Sequence, residues 1–105
     1  MKLNTVKNIY RKLNALNFGG VLTEARIGFS RTKNNDAHYD GNSIEFNLAD
    51  VVGFNAVTEL VYHEMIHQYI DQFLNLTVEN DHGKEFKKQY NKFSFNIVKD
   101  ANYEQ

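Results

Sequence analysis

The 105-residue chain contains no cysteine, which excludes disulfide staples, a thiol nucleophile and any cysteine-based zinc site. No apolar run approaches the length that spans a bilayer. The opening Met1-Lys2-Leu3-Asn4-Thr5 lacks the continuous apolar stretch of a secretory signal. A cytoplasmic protein with no membrane partner is therefore expected. There is no Gly-x-Ser-x-Gly elbow, no glycine-rich phosphate loop beyond the bare Gly19-Gly20 pair, no internal repeat and no low-complexity tract. Lys and Arg are absent between Asn34 and Gly83, a stretch that holds nine Asp or Glu, so a net charge of −1 divides into −9 in the middle and +8 in the flanks. The acidic centre favours a cation, and the basic flanks suit an anionic partner such as nucleic acid.

What is present is ordinary for a globular protein: 42% hydrophobic, 13% aromatic and 24% charged residues. The length fits one domain, residues 1–105. A chain of this size buries only about 60–65% of its unfolded surface, so its stability is thin and a bound metal is the available crosslink. Eight Phe and six Tyr suggest a core filled largely by rings. Leu3, Val6, Ile9, Tyr10, Leu13 and Leu16 recur at helical spacing and predict an amphipathic helix over 3–17, ended by Phe18-Gly19-Gly20. Ala25, Ile27 and Phe29 alternate with polar residues and predict a strand, and Ile44, Phe46 and Leu48 predict a second. Residues 31–41 read as polar and turn-rich. Asn55 is a plausible N-cap for a helix from Ala56 to about Leu74. This helix is apolar on all sides, which marks a buried central element. From Gly83, Phe86, Tyr90, Phe93, Ile97 and Ala101 predict a last helix. The fold class is α+β.

Polar residues inside a buried helix demand a reason, and this one carries His63-Glu64-Met65-Ile66-His67. A spacing of four puts both imidazoles on one face, one turn apart, where two nitrogens can grip one ion. Glu64, about 100° round the axis, can reach a water at that ion without ligating the metal. This is the H-E-x-x-H zinc pattern. Catalytic zinc takes three protein ligands and leaves a fourth position open. The metzincin continuation fails, because Ile70 and Phe73 stand where it needs Gly and His. Glu79 or Glu85 could complete the set. His82, 15 residues after His67 at a loop-to-helix junction, is the better candidate, since a helix N-terminus disfavours imidazolium and keeps the ring able to ligate.

His63-Glu64-Met65-Ile66-His67, followed by His82-Gly83-Lys84-Glu85-Phe86, resembles the HExxH plus HGxxF pair of SprT-like zinc metallopeptidases, the family that includes the Spartan-type proteases acting on proteins crosslinked to DNA. Phe18-Gly19-Gly20-Val21-Leu22 and Ile44-Glu45-Phe46-Asn47 sit where family members have a similar loop and strand. The resemblance spans about residues 10–95. It implies a minimal zincin-like fold, one Zn2+ held by His63, His67 and His82, Glu64 as general base, and a protein or peptide substrate. The Cys-rich zinc ribbon of many relatives has no counterpart in these residues.

The chemistry would be peptide hydrolysis, with zinc acidifying a water and Glu64 moving its proton. His38, Tyr39 and Tyr90 are candidate oxyanion stabilisers, and Asp71 and Asp81 are candidate partners for the imidazoles. Substrate would lie extended along a sheet edge assigned to residues 43–48. The alternative is an inactive, zinc-stabilised module that binds protein or nucleic acid.

Overall fold

The computed structural model describes residues 2–23, 25–29, 37–48, 51, 53–74 and 83–93. Leu3–Asn17 forms α1, burying Val6, Ile9, Tyr10 and Leu13 and exposing Arg11 and Lys12, as its periodicity predicts. It ends where Gly19 (φ 63°) and Gly20 (φ 74°) turn left-handed. The N–H groups of Phe18 and Gly20 both donate to the Asn14 carbonyl, at 3.1 and 2.8 Å. The Asn14 side chain fixes the next turn. Its amide donates to the Leu22 carbonyl and its oxygen accepts the Leu22 N–H, each at 3.1 Å.

Three short strands follow: β1 (Arg26–Phe29), β2 (Ala37–Tyr39) and β3 (Ser43–Phe46). They pair in the order β1-β3-β2, with β1 parallel and β2 antiparallel to β3. This corrects the expected edge: β3 is the central strand, and its Ile44 and Phe46 are fully buried. β2 falls within the segment that reads as turn-rich, because three residues give too short an alternation to stand out. Asp40 makes the β2–β3 turn. Its carboxylate accepts the N–H of Asn42 (2.9 Å), the N–H of Ser43 (2.8 Å) and the Ser43 hydroxyl (3.1 Å). These bonds, the backbone ones first, hold its carboxyl below the usual carboxylate range.

Helix α2 runs Phe54–Tyr69 and continues as a π turn, Ile70–Leu74. Its N-cap is Gly53 (φ 95°) rather than Asn55. The helix starts earlier than capping chemistry suggests because Phe54 packs against the core, and tertiary packing outweighs the cap preference of one Asn. Val57, Val61, Tyr62, Met65, Ile66 and Ile70 are sealed from solvent, and α2 packs on α1, β2 and α3 (Lys84–Lys92). The all-round apolar pattern is thus explained. In α3, Phe86 and Gln89 are buried. Ile97 and Ala101, expected to extend the last helix, lie outside the described residues.

Rings do fill much of this core. Phe18 lies 5.7 Å from Tyr62 and 4.8 Å from Phe93, and Tyr69 meets Phe93 edge-on at 4.6 Å. Among the described residues, no helix is long and apolar enough to cross a membrane.

Candidate metal centre

On α2, Met65 and Ile66 are fully buried, while His63 and His67, one turn apart, are only half-buried. The helical period therefore does what the spacing predicts, putting both imidazoles on one partly open face. Their Nε2 atoms stand 3.3 Å apart, with the ring planes inclined at 66°. Glu64 is buried, at 5% exposure, and its Oε2 lies 4.0 Å from His63 Nε2. Donor atoms of all three residues fall within 4.8 Å of one another, so the group could hold a metal ion. The fit to zinc is tested by the nitrogen spacing. Two imidazole nitrogens, each about 2.0–2.1 Å from one tetrahedral ion, are separated by about 3.3 Å, which is the separation found.

A single ring backs both imidazoles. The Phe86 centroid is 4.7 Å from His63 and 4.6 Å from His67, and Phe86 itself is buried. α3 is pinned in turn by Tyr62, the residue before His63. Its hydroxyl donates to the Tyr90 carbonyl at 2.9 Å, with the Phe93 carbonyl converging on the same group. These acceptors belong to the C-terminal end of α3, where carbonyls lack intrahelical donors. Burial chiefly, with Tyr90 nearby, pushes the Tyr62 phenol well above its ordinary pKa.

Gln68, fully buried beside His67 in sequence, anchors the other side of α2. It accepts the Tyr10 hydroxyl at 2.7 Å and donates to the Thr23 carbonyl at 2.6 Å, tying α2 to α1 and the turn after it. In the sequence Tyr62 counts among the apolar residues of this helix, although the test applied to His63, Glu64 and His67, polar atoms inside an apolar helix, applies to it and to Gln68.

The remaining candidates divide. His82, Glu79 and Asp81 lie outside the described residues. Glu85 accepts the Gln89 amide at 2.7 Å. Asp71 accepts the Tyr39 hydroxyl at 2.8 Å, which fastens the π turn of α2 to β2. Tyr39 is raised in pKa by burial first and by this bond second. His38 is exposed on β2. Tyr90 comes closest to the centre, lining with His63, Phe86, Lys87 and Asn91 a cleft of about 290 Å3.

A three-stranded sheet beside a buried helix that presents His-Glu-x-x-His to an open face defines an α+β fold of zincin-like design. The chain belongs to the SprT-like family, whose model matches residues 6–103. No curated protein and no solved structure matches it.

Proposed function

We propose that the protein is a zinc-dependent endopeptidase, with residues 1–105 acting as one SprT-like domain in the cytoplasm. The observation that carries this reading is the pair of imidazole nitrogens 3.3 Å apart beside a buried carboxylate. His63, His67 and His82 would hold the ion. When bound, zinc acidifies a water and polarises a carbonyl. Glu64 accepts the proton of the attacking water and delivers it to the leaving amine, a role worth about 10²–10⁴-fold. Phe86 keeps both rings from turning out of register.

With β3 central, an extended substrate is better placed on the edge strand β2, which packs on α2. Backbone pairing there reads few side chains, so unfolded protein is the expected substrate class. The exposed Lys84, Lys87, Lys88 and Lys92 of α3 form the surface on which an anionic partner, nucleic acid included, would settle. Salt-dependent retention on DNA tests that point.

Elemental analysis should find one zinc per chain, lost in His63→Ala. Proteolysis of a denatured protein should be abolished by chelation. Glu64→Gln should keep the zinc and lose at least about 100-fold in rate. A Glu64→Gln protein as fast as the parent refutes the general-base role. A parent inert on several unfolded proteins, yet melting on chelation, supports the zinc-stabilised binding module instead.

A further inference from the structure

The cleft of about 290 Å3 beside His63 is floored by Phe86 and carries three polar side chains, Lys87, Tyr90 and Asn91. All three can donate hydrogen bonds. Lys87 forms no ion pair with another described residue and projects from an exposed position on α3. Tyr90 is raised in pKa by burial first and by the nearby Glu59 second, so its phenol keeps its proton and remains a donor across neutral pH. The volume lies just below the usual range for whole small-molecule sites, about 300–1,000 Å3. It suits one side chain or one chain end rather than a separate ligand. Its wall includes His63, so whatever enters it lies next to the metal-binding nitrogens.

We propose that this cleft is the substrate subsite adjoining the scissile bond, and that it takes a carboxylate against Lys87, Tyr90 and Asn91. The carboxylate is either that of an acidic side chain or the substrate's own C-terminus. The proposal rests on the reading of His63 and His67 as the centre where peptides are cut. Glu59, one turn before His63 on α2 and close to the Tyr90 phenol, weakens the hold at Tyr90, so Lys87 supplies most of the attraction. Charge-assisted hydrogen bonds of this kind are about twice as strong as neutral ones. In an open cleft, solvent screening reduces their yield to about two- to fivefold in affinity, and repulsion of a Lys side chain by Lys87 widens the contrast between Glu and Lys.

The test uses fluorescein-labelled decapeptides of Ala and Ser with one central Glu, Gln or Lys and an amidated C-terminus. A fourth peptide carries Gln and a free C-terminal carboxylate. Dissociation constants are read by fluorescence anisotropy on the zinc-loaded Glu64→Gln protein, with and without Lys87→Glu or the milder Lys87→Gln. The expected result is binding of the Glu peptide about five- to tenfold tighter than the Lys peptide. The preference should be flattened by Lys87→Gln and inverted by Lys87→Glu, with zinc content unchanged. A gain for the Gln free acid over its amide assigns the site to the chain end, and a gain for Glu alone assigns it to a side chain. Equal affinities across all four peptides, absence of binding, or a preference that both Lys87 variants leave intact overturns the proposal. Proteolysis by the parent is scored separately. Cleavage without charge preference refutes the subsite alone, and charge preference without cleavage refutes the hydrolase reading alone.

Discussion

Replacing Tyr62 by Phe removes one oxygen and tests how α3 is held against α2. The hydroxyl meets the Tyr90 carbonyl at 2.9 Å and also the Phe93 carbonyl, in a fully buried residue. Its loss removes that hydrogen bond and leaves part-buried acceptors short of a donor, together about 1–3 kcal/mol. A total near 2 kcal/mol is therefore expected. Unfolding entropy is about 2.1 cal/mol/K per residue, or about 220 cal/mol/K for 105 residues, so Tm should fall by about 9 °C. Circular dichroism melts of the zinc-loaded proteins measure it.

A second readout is alkaline pH. Burial raises the Tyr62 pKa above its ordinary 10.0, so the stabilisation it provides is complete below pH 10 and is lost as pH rises further. Tyr62→Phe should lose less stability above pH 10 than the parent does. Tyr39 and Tyr90, also raised, keep part of that dependence. A Tm drop under about 2 °C, together with an unchanged alkaline slope, would refute the pinning role.

Phe86→Ala should cost about 3–5 kcal/mol and can prevent folding in a core this small. Phe86→Leu should fold and weaken zinc binding about tenfold, measured by competition with a chelator, because the two imidazoles lose their common backing. Gln68→Leu removes two hydrogen bonds, though the Tyr10 hydroxyl still reaches the Thr23 carbonyl at 3.1 Å. It should lower stability by about 1–2 kcal/mol in urea unfolding while leaving zinc stoichiometry at one. Asp40→Ala removes a carboxylate whose depressed pKa stabilises the fold above pH 3.8 and less as pH falls through its lowered value. Acid titration of the variant should show a shallower loss of stability below about pH 4.

The helices and the pairing of His63 with His67 were legible in the sequence because both depend on local periodicity. The 3.6-residue repeat located α1, and the apolar circumference of α2 marked it as central before any contact was known. Strand order was not legible, since nothing in Ser43–Phe46 announces two neighbours rather than one beyond the full burial of Ile44 and Phe46. β2 escaped because its pairing is set by β3 and by the Tyr39 bond to Asp71, 32 residues away in the chain. The N-cap of α2 misled for a related reason: Asn55 is the better cap, but Phe54 gains more by packing, partly buried, against the core. Long-range partners explain Asp71 as well. It lies on the helix that holds the imidazoles, yet Tyr39 claims it.

Phe86 has one more consequence. Because one ring touches both histidines, an ion that fixes the imidazoles also favours the seated position of α3, and seating α3 favours the ion by an equal free energy. Cation uptake and helix docking then become two readings of one equilibrium. Amide protection along α3 should rise with zinc, and a ligand that merely clamps α3 should slow the escape of the metal.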